Sequence, residues 1–393
     1  MPSTTLGLYI HIPFCARKCG YCDFYSLAGA DRAGMDAYLN ALLRHMKETA
    51  AFTGKASSKS GGWMVDTIYL GGGTPSLFGA RRAARLISAV RKLWQVSQSA
   101  EITMEGNPDS LDFKSLNLLR KAGVNRLSVG VQAVQPELLD ALGRIHTAEQ
   151  AADCIREARR AGFENISVDL MYGLPGQTAD MLHESLKTVL SWNLQHLSLY
   201  GLKLEEGTPM HGLCPVLPDE DEQAAQYLAA VHYLEQNGFA QYEISNFSLP
   251  ARQSRHNLKY WTLEPYIGFG PGAHSDFGGK RYSHVRDLDA YVRSLGSGDA
   301  VIDEFSVISP LERAGESIML GLRTARGISG NDYTRLYKVS FDIIEKKLEL
   351  LEKHGFSQRV GERWRLTPKG FLVSNRILSQ LLESEVDREI VKL

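Results

Sequence analysis

Tyr9-Ile10-His11-Ile12-Pro13-Phe14-Cys15-Ala16-Arg17-Lys18-Cys19-Gly20-Tyr21-Cys22-Asp23-Phe24-Tyr25-Ser26 is the stretch from which the rest of the chain is read. Leu8, Ile10 and Ile12 alternate with Tyr9 and His11, the period of a strand. Pro13 ends that strand, and a loop follows. In the loop Cys15, Cys19 and Cys22 form a C-x3-C-x2-C run that holds three of the chain's five cysteines. Thiolates this close can converge on one soft metal centre. Zinc sites usually pair cysteines as C-x2-C twice or add histidines at fixed spacing, and nothing nearby supplies a second pair. An iron–sulfur cube normally takes four cysteines, so a trio leaves one iron open to a small molecule. A loop at a strand's C-terminal end is also where barrel-type α/β folds place their chemistry.

A strand followed by a ligand loop and a helix recurs along the chain. Met35, Tyr38, Leu39, Leu42, Leu43 and Met46 have helical spacing. A surface loop is expected over 54–62. Strand Val65–Leu70 runs into Gly71-Gly72-Gly73-Thr74-Pro75-Ser76 and a helix over 79–94. Strand Glu101–Glu105 leads into Gly106-Asn107-Pro108-Asp109 and a helix near 112–122. Strand Arg126–Val131 leads into Gln132, then helices near 136–142 and 147–161. Strand Ile166–Leu170 leads into Met171-Tyr172-Gly173-Leu174-Pro175-Gly176 and a helix near 178–191. Strand His196–Leu202 closes the series. Six strands alternating with helices imply a parallel sheet with crossover helices. The expected fold class is α/β, an open partial (β/α)6 barrel; a doubly wound sheet is the alternative. Both put ligands at the C-terminal strand ends.

The rest of the chain has a different texture. Residues 203–218 read as a connection, followed by a helix over 219–237 and a Gly- and aromatic-rich stretch from Phe239 to Tyr282. Ser309-Pro310-Leu311-Glu312 is a helix start, with Pro at the first helical position and Glu at the capping-box position. Helices near 310–324, 330–337 and 341–354, a hairpin over 356–366 and a last helix from Pro368 suggest a small, mostly helical winged-helix-like unit. The expected domains are 1–215, 216–304 and 305–393.

Composition excludes several classes. Hydrophobic content of 44% and charged content of 23% are ordinary for a globular chain. A net charge of −1 gives no global drive toward nucleic acid or anionic lipid. No apolar run reaches the length of a membrane span, and the first residues lack a secretory pattern. The odd, clustered cysteines argue for a reducing cytoplasm. Cys154, in a helical pattern, and Cys214, in a linker, read as non-ligands.

The motifs supply a pocket. Glycines 71–73 let backbone approach a ligand closely, and no Gly-Lys-Ser/Thr follows to make a P-loop. Glu105, Gln132 and Asp169 fall at later strand ends, and Arg144 follows in Leu142-Gly143-Arg144-Ile145-His146. Each alone reads equally well as an ordinary strand-end or surface polar residue. Their shared edge favours one site.

The cysteine spacing resembles that of the radical S-adenosylmethionine (SAM) superfamily. In that family the trio holds a [4Fe–4S] cluster whose open iron is chelated by SAM, and the glycine segment binds the methionine amino group. The resemblance extends over nearly the whole chain to the oxygen-independent coproporphyrinogen oxidase-like proteins. It is carried by Gly71-Gly72-Gly73-Thr74-Pro75-Ser76, Gly130-Val131-Gln132, Asp169–Gln177 and Gly268-Phe269-Gly270-Pro271-Gly272-Ala273-His274-Ser275. It implies Cys15, Cys19 and Cys22 as cluster ligands. It implies Tyr9, Tyr21, Gly72, Gly73, Thr74, Glu105, Gln132, Arg144, Asp169 and Lys203 as SAM contacts.

Within that family the oxidases carry a further cysteine two places after the third and a longer leader. Here that place is Phe24, and fourteen residues precede Cys15. Both departures resemble the heme chaperone branch, as does His256-Asn257-Leu258-Lys259-Tyr260-Trp261, which fits its H-N-x-x-Y-W motif. The branch implies heme as a third cofactor and His256 as its iron ligand, imidazole being the common protein ligand of heme. Read without the family, His256 caps a turn and Tyr260 and Trp261 are core. The branch further implies a heme-accepting respiratory membrane protein as partner. It also implies a homodimer dependent on cluster or SAM, a cytoplasmic protein that works at the membrane periphery, and no residue with a catalytic role. The alternatives are a genuine oxidase, in which a 5′-deoxyadenosyl radical starts decarboxylation of propionate side chains, and a nucleic-acid binder using 305–393. The expected face of that last unit is not notably basic.

Overall fold

The structure, a computed structural model, describes residues 5–54, 62–297 and 301–390; most of the expected loop over 54–62 lies outside them. Six parallel strands follow one another in space as they do in sequence: β1 (Thr5–Ile12), β2 (Met64–Gly72), β3 (Gln95–Gly106), β4 (Arg126–Gln132), β5 (Asn165–Tyr172) and β6 (His196–Gly201). The strand order never reverses, so the sheet is singly wound, and the doubly wound alternative does not hold.

The sheet extends beyond the expected six strands. A seventh parallel strand, β7 (Tyr266–Phe269), pairs with β1 on its far side. Antiparallel strands continue past both edges, giving twelve in one open sheet among the described residues. Four residues with glycine on either side of Phe269 carry too short a pattern to read as a strand. Only the edge of β1 makes them one.

Strand alternation sorts the side chains. Leu8, Ile10, Ile68, Leu70, Ile102, Met104, Leu127, Val129, Val168 and Leu197 are buried outward under the helices, each worth roughly 1.5–3 kcal/mol on burial. Helices α1 (Arg32–Thr53), α2 (Ala80–Leu93), α3 (Phe113–Ala122), α4 (Ala148–Arg160) and α5 (Ala179–Leu190) make that layer. Residues of the opposite parity face inward and are polar: Thr67, Glu101, Arg126, Ser128, Ser167, Asp169 and His196. The barrel therefore has an apolar jacket and a polar interior.

Helix α6 (Glu220–Gln236) starts at an Asp219/Glu222 capping box, and α7 (Arg255–Trp261) at Ser254. The Ser309/Glu312 capping box read from the sequence is formed, and it opens α8 (Pro310–Gly321). Beyond it, Ile328–Ser329, Ser357–Val360 and Arg363–Leu366 make a three-stranded sheet packed among helices, as the hairpin and helices lead one to expect. Among the described residues no helix is long and apolar enough to cross a membrane.

Candidate functional site

At the C-terminal ends of the strands a cavity of about 500 Å³ is lined by Cys15, Cys19 and Cys22 together with Gly72, Gly73, Thr74, Glu105, Gln132, Arg144 and Asp169. The ends of β1 to β6, or the connections that follow them, each contribute. Tyr21 and Lys203 belong to the same lining; Lys203 is exposed at the rim and pairs with Glu205 at 2.7 Å.

The cysteine loop is clamped by the turn after β2. Gly73 N–H donates to Ile12 O at 2.8 Å and Thr74 N–H to Phe14 O at 2.7 Å. Two glycines are required there. Gly72 has φ +115°, and a Cβ on it would stand 2.5 Å from the His11 ring. A Cβ on Gly73 would stand 2.9 Å from Phe14 O and 3.1 Å from Cys15 Sγ. Any side chain would push the cysteine loop away from β2.

The three half-buried thiols fit the cluster expected of them. Hydrogen-bond donors address their sulfurs: Thr74 Oγ1 reaches Cys15 Sγ at 3.4 Å and Arg144 Nη1 reaches Cys19 Sγ at 3.6 Å. Donors to ligand sulfurs are a standard means of tuning iron–sulfur centres. Burial pushes the Cys22 thiol up, against a bond from the Phe24 backbone, and neighbouring Cys19 and Cys15 push it further. Among the described residues no three His, Cys, Asp or Glu side chains converge tightly enough to hold a single ion. All three cysteines line the cavity.

The opposite wall is acidic. Glu105 accepts from Tyr69 OH at 2.6 Å and from Gly72 N–H at 3.1 Å. Burial nevertheless raises its pKa to about 7, with the Asp169 charge adding to the effect. Asp169 accepts from Ser128 Oγ at 3.2 Å, and burial raises it too. Gln132 ends β4 at φ +70°, a left-handed conformation rare outside glycine, where the register to β5 shifts; such strain concentrates at functional sites. Arg144 Nη2 is held by Asn107 Oδ1 at 2.9 Å and Gly130 O at 2.6 Å. Tyr69, Asn107 and Ser128 were not singled out from sequence as site residues. Their alternation with Gly71, Glu105 and Gly130 along the strands is the signal that reveals them.

Two expected contacts fall elsewhere. Tyr9 does not line the cavity; its hydroxyl donates to His11 Nδ1 at 3.0 Å, while His11 Nε2 donates to Tyr25 O at 2.8 Å. Its place is in the barrel interior, bracing the histidine behind Gly72.

His256 departs further. It lies at the N-terminal end of the barrel, opposite the cysteines, on α7, and is fully buried. Nδ1 pairs with Thr67 Oγ1 and Nε2 with Tyr260 OH, both at 2.8 Å, and the ring stacks on Tyr69. Burial, with help from Lys259 and Arg126, lowers its pKa to about 3, so the ring is neutral. In this setting His256 is not presented to a heme iron, the role that the branch implies for it. Both nitrogens are engaged, and no face of the ring is open to a porphyrin. The plain reading is not met as stated either: Ser254 and Glu101, not His256, cap α7, and Tyr260 and Trp261 are half-buried.

The acidic side chain of Glu101 caps α7, accepting from the Arg255 and His256 backbone N–H groups at 3.1 Å each. Lys259, almost wholly buried, pairs with Asp66 and Glu264 at 3.0 Å each. The motif is a plug that closes the barrel.

Comparisons with known proteins follow the same division. A family model described as the radical SAM superfamily matches residues 9–189, and one described as the HemN C-terminal domain matches 308–373. The chain is 36% identical over 380 residues to the heme chaperone HemW of Bacillus subtilis, covering 95% of this chain and 98% of that protein. It is 34% identical over 387 residues to the heme chaperone HemW of Lactococcus lactis, covering 96% and 98%. To the heme chaperone HemW of Escherichia coli it is 33% identical over 384 residues, covering 96% and 98%. Among solved structures, the coproporphyrinogen III oxidase HemN from Escherichia coli superposes with a TM-score of 0.83 at 23% identity, covering 97% of this chain and 91% of that one. That likeness concerns the fold.

Proposed function

We propose a function from the premise that this chain belongs to the radical SAM superfamily and, within it, to the heme chaperone HemW family. The protein binds heme and passes it to an acceptor hemoprotein, and it carries a [4Fe–4S] cluster and SAM in the cavity of the cysteine loop. One observation supports the cofactor part: three thiols, two obligatory glycines, two half-buried carboxylates and a fixed guanidinium share one lining. When bound, the cluster supplies an open iron and one electron to SAM.

The chain's own groups have separable tasks. Cys15, Cys19 and Cys22 hold the irons. Gly72 and Gly73 allow backbone to approach the methionyl amine, and the ionised Glu105 carboxylate offsets its charge. Asp169 and Gln132 would take the ribose hydroxyls, and Arg144 would suit the methionyl carboxylate. Lys203 and Tyr21 border the mouth.

Phe24 is 68% exposed at that mouth. It stands where the oxidase pattern has a cysteine, and an apolar ring there favours handling a flat porphyrin over oxidising one. The acceptor is proposed to be a membrane-bound respiratory hemoprotein, the working form a homodimer, and residues 305–393 a docking module.

Anaerobically purified protein with reconstituted cluster, titrated with heme by absorption and then mixed with an apo-hemoprotein, tests this reading. Saturable heme uptake and transfer are expected. Sustained protoporphyrinogen formation from coproporphyrinogen III would favour the oxidase instead and overturn it.

A further inference from the structure

A second concavity lies away from the cysteines, on the outer helical layer. Its walls include Arg32, Arg81, Arg82, Arg85 and Lys114, with Asp36 the one acidic member, and it encloses about 610 Å³. Three adjacent crossover helices supply it: α1 begins at Arg32, α2 at Ala80 and α3 at Phe113. Each brings the positive end of its dipole. Asp31 and Asp112 side chains cap α1 and α3. The N-cap of α2 is Gly79, which offers no side-chain acceptor and itself lines the hollow.

The charges inside are unbalanced. Arg82 is committed, with Nε on Asp36 at 2.7 Å, Nη1 on Phe78 O at 2.9 Å and Nη2 on Arg32 O at 3.3 Å. That bond, with Arg85 and Arg32 nearby, holds the Asp36 carboxyl below its usual range. Asp36 thus serves Arg82. Arg32, Arg81, Arg85 and Lys114 are exposed, and no carboxylate among the described residues forms an ion pair with any of them. Arg81 and Arg85 stand one turn apart on α2, where like charges repel. The whole chain carries a net charge of −1, so this concentration is local.

We propose that this hollow binds a phosphate group. Guanidinium forks match phosphate oxygens bidentately, and an uncapped helix start adds backbone N–H groups. Among the described residues no aromatic side chain lines the hollow, so the recognised element is the phosphate itself. A phospholipid headgroup and a soluble polyphosphate both present that chemistry.

The test uses the full chain and the exposed-site double variant Arg81→Gln/Arg85→Gln, with Lys187→Gln/Lys353→Gln as a charge-matched control elsewhere on the surface. Circular dichroism checks that each remains folded. Pyrophosphate binding is measured by calorimetry at physiological salt. Sedimentation with phosphatidylglycerol vesicles, against phosphatidylcholine vesicles, measures the headgroup arm. We expect the wild type and the control to bind at least one anionic probe, and the Arg81/Arg85 variant to bind it about tenfold more weakly. Pyrophosphate binding identifies a soluble source; binding only to phosphatidylglycerol identifies the headgroup. The proposal is overturned if the wild type binds neither probe, or if the Arg81/Arg85 variant binds no more weakly than the control.

Discussion

Glu105 sets the pH dependence expected of the cavity. Its pKa is raised from the usual 4.5 to about 7 by burial, so the folded chain keeps a proton there that the unfolded chain has already lost. The group therefore lowers stability as pH rises from about 4.5 to 7. A bound cation reverses the preference, because it favours the ionised carboxylate. SAM affinity should then rise with pH through about 7, by about tenfold between pH 6 and pH 8 if only the ionised form binds. Equilibrium binding to wild type and Glu105→Gln checks this. The variant keeps an oxygen for Tyr69 OH and should bind weakly with a flat profile; an unchanged slope in the variant would move the titration to another group, Asp169 first.

At the scale of the element, α7 is the clearest case of a motif whose setting changes its meaning. Its histidine, lysine and tyrosine fill the closed end of the barrel, and a Cβ on Gly7 would meet Lys259 at 2.9 Å and His256 at 3.2 Å. His256→Ala removes two buried hydrogen bonds and a stacked ring, and leaves Thr67 and Tyr260 short of a partner. A loss of about 2–4 kcal/mol is expected, read as a lower denaturant midpoint. The Soret band of the heme-loaded variant should match wild type where the protein stays folded. A lost or shifted band at full helicity would show that α7 leaves the barrel and gives His256 to the iron.

Across the whole molecule, the C-terminal unit is tied to the sheet by an ion-pair network. Asp276, beside β7, is held by Arg313 of α8 at 2.7 Å and by Arg281 at 2.8 Å, and Arg281 also bonds Glu316 of α8. Despite burial, those guanidinium bonds keep the Asp276 carboxyl below its usual range. A carboxyl lowered by folding contributes stability above its unfolded value of 3.8, and this is lost as pH falls through the folded value. Asp276→Asn should expose the segment before α8 to limited proteolysis at neutral pH, while wild type shows the same cleavage only in acid. Equal resistance of both at neutral pH would mean that apolar packing alone fixes the unit.

How much was legible can be traced to particular residues. Period-2 alternation of Leu8, Ile10 and Ile12 marked the first strand, and five later short segments, each running into a loop and a helix or closing the series, marked the others. The Ser309/Glu312 spacing gave the start of α8. Cys15, Cys19, Cys22, Gly72, Gly73 and the polar strand ends were each readable in sequence as residues of one cavity edge, since βα units put every such loop on the same side of a parallel sheet. Strand β7 was not legible, because its pairing partner lies over 250 residues away. Nor were the partners of Tyr69 and Ser128, because alternation marks the inward face but not that they meet Glu105 and Asp169 across strands.

The sequence alone determined the candidate donor set, the alternation of strands with helices and the family, because these depend on local spacing and short-range pattern; the spatial order of the strands came from the tertiary structure. Only the tertiary structure decided which end of the barrel each motif occupies. It put the cysteines and carboxylates at one mouth and the imidazole of His256 at the other. It also brought three helix starts, separated by tens of residues, round a single basic hollow. The physical reason is the same in each case. Burial, desolvation and charge pairing belong to neighbours in space, and a chain shows those neighbours only once its sheet has closed up.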